Sequence, residues 1–150
     1  MIKKILLVTD FSKLSLTALP PALDLAKKYN ASIDLLHVIE RTIPMLIIRT
    51  TSMTEEKISE ALYDDAVQSL KKITQELPSE DRKLITTAVR RGNDYEEIIS
   101  YADDEGIDMI VIASHGRTGI LHTLMGSVAE KVIRYSRCMV LVITPSEADK

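Results

Sequence analysis

Tryptophan is missing from this chain of 150 residues, and phenylalanine occurs once. The core therefore has to be aliphatic, built from Ile, Leu, Val and Ala. Cysteine also occurs once, as Cys138, so no internal disulfide can form. The plain role for that thiol is a small buried residue at the start of a strand. Long hydrophobic runs are missing too. Nothing approaches the roughly 18 apolar residues of a membrane span. The apolar stretch of MIKKILLVTD ends at Asp10, too soon for a signal peptide. A cytoplasmic location is the expectation. Basic residues are not in excess: 19 Lys and Arg stand against 22 Asp and Glu, a formal net charge of −3. Nucleic-acid-binding domains ordinarily carry a basic face, so that class of partner is not expected. Glycine is scarce as well. Of only five, three (Gly116, Gly119 and Gly126) fall between Ala113 and Ile133.

Five short runs read as strands: Lys4–Thr9, Ser32–Val38, Leu84–Arg90, Asp108–Ala113 and Met139–Thr144. Three are almost wholly apolar, as strands covered on both faces of a parallel sheet are. Helical spacing of apolar residues fills the gaps, over Ser12–Tyr29, Thr54–Leu77, Asn93–Glu105 and Ser127–Tyr135. Glu55 and Glu56 mark the start of the second helix more clearly than Thr54 does, because Lys57 stands where a capping box needs an acid or amide. Pro20 and Pro21 fall inside the first helix, where each removes a backbone donor; a break or a fresh start is expected there. Alternating strands and helices imply right-handed crossovers and an α/β fold. The expectation is a single domain over 1–150, a three-layer sandwich with a five-stranded parallel sheet and four main helices. Ligands of such folds collect at the carboxyl ends of the strands. Residues 40–53 form the longest irregular stretch; its apolar PMLII either folds back on the core or forms a flap or contact surface.

Asp10 ends the first strand and so stands at the sheet's mouth, as a ligand contact or a helix cap. Gly116 follows the fourth strand, and Gly126-Ser127 precedes the last helix. A helix start presents unpaired N–H groups and partial positive charge, which suit phosphate, and glycine lets backbone approach it. Two readings stand at this point: a phosphate cradle, or glycines that only make turns. No Gly-Lys-Ser/Thr and no G-x-G-x-x-G occurs. His115 and His122 are seven apart with no Cys pair, which does not suit a metal site. His115 reads as a loop hydrogen-bonder and His37 as packed and satisfied. No Ser/His/Asp set has a nucleophile elbow.

The segments KKILLVTDFS, IDLLHVIE, GIDMIVIASHGRTG and GSVAEKVIRYSRCMVLVI give the chain its resemblance to the universal stress proteins, over nearly its whole length. The resemblance implies an adenine-nucleotide-binding, Rossmann-like fold. It also implies a homodimer that pairs the last strand, Val140, Leu141, Val142 and Ile143, across its axis. One branch of the family binds ATP and carries glycine, two residues, glycine, nine residues, then glycine with Ser or Thr. Gly116 matches the second glycine and Gly126-Ser127 the closing pair, but Ala113 stands where the first glycine would be. The added methyl is harmless in backbone that leaves the ligand alone and costs affinity where backbone touches phosphate. By the same resemblance, Asp10 meets the nucleoside end, with Thr9 before it, and the Val38 backbone meets adenine. Phosphates would lie on Gly116, Arg117, Gly126 and Ser127, beside Ala113 and His115, with Mg2+ or Mn2+ bridging phosphates rather than held by side chains.

The leading reading is an ATP-binding stress-response or signalling module with no dedicated catalytic activity, at most slow ATP hydrolysis. The alternative is a dimer that binds no nucleotide and acts through partner contacts; Ala113 is the feature that favours it. An adenylating enzyme would carry a Ser-Gly-Gly loop after strand one, and TDFSKLS has no glycine. A phospho-receiver would end strand three in an acceptor Asp, where VRRGND stands.

Overall fold

The computed structural model describes residues 1–41, 48–50, 52–116 and 125–146. Its elements run β1 (Lys4–Val8), α1 (Lys13–Leu16), α2 (Leu19–Tyr29), β2 (Ser32–Glu40), α3 (Glu55–Gln75), α4 (Ser79–Arg82), β3 (Ile85–Gly92), α5 (Asp94–Asp104), β4 (Met109–Ala113), α6 (Ser127–Tyr135) and β5 (Met139–Ile143). The five strands form one sheet in the order β3-β2-β1-β4-β5, and every pairing is parallel. The order reverses between β1 and β4. In a doubly wound sheet that reversal opens a crevice beyond the strands' carboxyl ends.

Two apolar layers explain the strand sequences. Ile5, Leu7, Ile33, Leu35 and Val111 pack against Ala22 and Ala26 of α2 and Leu70 of α3. Their neighbours Leu6, Leu36, Ile110 and Ile112 pack against Ile98 of α5 and Val132 of α6. Side chains alternate faces along a strand, and here both faces are covered, so the runs read as continuously apolar.

The proline pair acts as the sequence implies. The first helical stretch divides into α1 and α2, and Pro20 lies in the first turn of α2, where its missing N–H costs nothing. Thr54 does cap α3: its hydroxyl accepts from the Lys57 N–H at 3.3 Å, so the side chain at that position was no obstacle. The one-turn helix α4 has no apolar period to announce it. Cys138 is only partly buried, and its thiol lies 3.4 Å from the Ser136 hydroxyl, a correction to the fully buried residue expected. Most of PMLII, and Gly119, His122 and Arg117, lie outside the described residues.

A buried acid lies beside the second apolar layer. Asp34 of β2 accepts from the Tyr101 hydroxyl at 3.0 Å and pairs with Lys4 Nζ at 3.0 Å. Burial, and then the Asp34 carboxylate, push Tyr101 from 10.0 up to about 12. The Asp108 carboxyl is held below its usual value by the Lys3 and Lys4 backbone N–H groups that it accepts, at 2.7 and 3.0 Å.

Candidate functional site

A cleft of about 630 Å³ opens at the carboxyl ends of β1, β2 and β4, where the strand order reverses. That size lies within the usual range for small-molecule sites. Thr9, Asp10, Val38, Ala113, His115, Gly116, Gly126 and Ser127 all line it. The structure thus brings eight of the nine residues singled out in the sequence to one place; Arg117 lies outside the described residues.

The β1–α1 turn forms one wall. Ser12, not Asp10, is the N-cap of α1: its hydroxyl accepts from the Ser15 N–H at 3.1 Å. Asp10 instead folds its carboxylate back to accept from the Ser12 N–H at 2.9 Å. Thr9 Oγ1 accepts from the Phe11 N–H at 3.0 Å and lies 2.9 Å from the buried Ser15 hydroxyl. Between them Phe11 has φ +69°, a left-handed conformation that a bulky side chain rarely adopts. Such strain costs on the order of 1–3 kcal/mol, and surrounding structure has to hold it. His37 does so. Its ring stacks on Phe11 with centroids 4.1 Å apart, and its Nδ1 lies 2.9 Å from the Thr9 carbonyl.

The opposite wall is the loop after β4 and the start of α6. Gly126 is the N-cap of α6, and glycine brings no side chain to occupy the N–H groups of the first turn. Gly126, Ser127, Val128 and Ala129 line the cleft, which puts the helix's partial positive end at its wall. Ser127 is the first helical residue, not the cap, and its side chain is exposed. The Gly126 N–H donates to the Ser114 carbonyl at 2.6 Å, tying the helix start to the end of β4. Ser114 is buried, with its hydroxyl 2.9 Å from His115 Nδ1.

The two described glycines of the cleft serve room, not rotation. Neither has a positive φ. A Cβ on Gly116 would run into the Asp10 carboxylate, and one on Gly126 would stand 3.0 Å from the Ser114 carbonyl oxygen. The carboxylate of one wall therefore lies against the glycine of the other. Ala113 is the last residue of β4, in register with Ile143; it is 5% exposed and packs in the first apolar layer with Leu7 and Val111.

Sequence reading missed part of this site. Helix α3 contributes Leu62, Asp65, Ala66 and Ser69, the i, i+3, i+4, i+7 positions of one helix face. The helical period marks that face; only the fold shows that it overlooks the cleft. Phe11 and Ser114 also line it, and nothing in their local sequence signals a left-handed phenylalanine or a buried serine. Among the described residues no group of three His, Cys, Asp or Glu side chains could hold a metal ion, and no helix is long and apolar enough to cross a membrane.

Comparison with known proteins matches residues 1–144 to the universal stress protein family. Universal stress protein MJ0531 of Methanocaldococcus jannaschii is 33% identical over 141 residues, 94% of this chain and 81% of its own. Universal stress protein MJ0577 of the same organism is 33% identical over 155 residues, 95% of each chain. The solved structure of MJ0577 superposes with a TM-score of 0.75 at 34% identity, covering 98% of this chain and 99% of its own. A universal stress protein solved in complex with cAMP shares the fold, with a TM-score of 0.62 at 21% identity over 97% of this chain and 98% of its own.

Proposed function

The chain belongs to the universal stress protein family, and from that membership and its cleft we propose that it is an ATP-binding stress-response or signalling module that works as a homodimer. The observation that carries the reading is the convergence of Thr9, Asp10, Val38, Ala113, His115, Gly116, Gly126 and Ser127 on one cleft at the sheet's reversal point.

The chemistry of each end supports a nucleotide. Phosphate oxygens accept from the open N–H groups of the first turn of α6, and the exposed Ser127 hydroxyl adds a donor. The base and sugar lie toward Val38 and Asp10, where a backbone edge and a carboxylate offer acceptors for an amine and for hydroxyls. Arg117 follows Gly116 and is assigned to the phosphates. A bridging Mg2+ or Mn2+ supplies charge neutralisation between phosphate oxygens, and no described side-chain cluster competes for it. The partner-only reading rested on Ala113. Its weight falls, because that methyl packs into the apolar layer in a strand without positive φ. Homodimer formation is assigned to β5, an edge strand whose Val140–Ile143 are all half-buried in the single chain.

A thermal-shift series with Mg-ATP tests the binding reading. A ligand at 100 times its Kd stabilises the folded state by about 2.7 kcal/mol, so the midpoint should rise by several degrees and level off with concentration. No shift at millimolar nucleotide would remove the reading.

A further inference from the structure

His37 was expected to be a packed, satisfied histidine, and it is buried at 9% exposure, yet it also lines the cleft. We propose that His37 is a positioning residue of the nucleotide site, one that locks the β1–α1 turn so that Asp10 is presented to the ligand. The proposal rests on the nucleotide reading above and concerns the same site.

Three observations meet at this side chain. First, its Nδ1 lies 2.9 Å from the Thr9 carbonyl oxygen. A carbonyl only accepts, so Nδ1 carries the proton and donates. That bond spans β2 and the residue before Asp10, adding to the ladder bond from the Thr9 N–H to the Leu36 carbonyl at 3.0 Å. Second, the imidazole stacks on Phe11, the residue after Asp10, at 4.1 Å and 28° between planes. Third, Phe11 is held at φ +69°, where an unsupported aromatic residue would not stay. His37 therefore grips the chain on both sides of Asp10. With Thr9 and Phe11 fixed, the Asp10 carboxylate folds to the Ser12 N–H and stands against Gly116. Without that grip Phe11 relaxes to negative φ, and the peptides flanking Asp10 turn with it.

The roles of donor and ring can be separated. Asparagine carries an N–H donor one bond beyond Cγ, as His37 Nδ1 does, but has no ring to stack. Phenylalanine keeps the ring and loses the donor. Leucine has neither. The test titrates wild type and the variants His37→Asn, His37→Phe and His37→Leu with Mg-ATP and, separately, with inorganic tripolyphosphate. The latter reaches only the phosphate end of the cleft. Circular dichroism establishes that each variant is folded; if His37→Leu is not, the other two decide. The expected result is ATP affinity weakened about tenfold in His37→Leu and less in His37→Asn and His37→Phe, with tripolyphosphate affinity unchanged throughout. A merely structural role would weaken both ligands together, and that outcome overturns the proposal. So do variants that bind ATP as wild type does. Wild type that binds tripolyphosphate or neither ligand, but never ATP, overturns the nucleotide reading itself and this proposal with it.

Discussion

A methyl group added at Gly116 would meet the Asp10 carboxylate, and no other side chain of the cleft is so near it. Gly116→Ala is therefore expected to push Asp10 aside and weaken Mg-ATP binding by about tenfold, roughly 1.4 kcal/mol. Gly116 lines the cleft and belongs to neither apolar layer, so the unfolding midpoint should stay within a degree or two. Titration beside a thermal melt reads both. Ala113 gives the opposite expectation. Its side chain belongs to the apolar layer under α2, and its strand backbone is not in a glycine conformation. Ala113→Gly should not tighten nucleotide binding. It should lower stability by about 0.5–1 kcal/mol, because glycine loses more freedom on folding; a large gain in affinity would show that the strand end, and not the core, sets the role of this methyl. Ala113 is also where sequence and structure teach most about each other. Its departure from the family's spacing was legible at once. Whether that departure matters turns on which face of β4 the methyl occupies, and register settles that only within the folded sheet.

Elements were largely legible because burial writes itself into period. The main helices and the strands other than β3 follow apolar repeats, β3 (ITTAVRRG) shows itself by β-branched residues instead, and the break before α2 follows from two prolines. What was not legible was contact between elements. Nothing in the α3 sequence says that Asp65 and Ser69 look into the cleft while Leu70 enters the core, and nothing in β2 says that Asp34 meets Tyr101 of α5, 67 residues away. That last pair makes a prediction at the scale of elements. Tyr101 has its pKa raised from 10.0 to about 12, so the folded chain holds the phenolic proton more tightly than the unfolded one. Its contribution is complete below pH 10 and is lost as pH rises toward 12. Denaturant melts should show stability falling across that window. Tyr101→Phe should cost about 1 kcal/mol at neutral pH through the lost hydrogen bond and flatten the alkaline fall. An unchanged pH slope would separate the Tyr101–Asp34 contact from stability.

At the scale of the whole molecule, the cleft and the β5 edge are described features open to partners. Strand β5 pairs with β4 on one side only, and Met139 at its start is 53% exposed. An apolar edge of this kind is ordinarily covered or charged. Under the homodimer reading a lysine within it, as in Val142→Lys, should halve the mass seen by light scattering while the far-ultraviolet spectrum persists. The same mass as wild type would place any dimer contact elsewhere. The cleft is the more direct matter, since the family membership, the strand reversal and the eight converging residues all bear on it. Isothermal calorimetry of the whole chain with Mg-ATP tests it without further assumption. Saturable heat with one nucleotide per chain, weakened in Gly116→Ala, is the expected result. No heat at millimolar Mg-ATP, from folded protein, would contradict it.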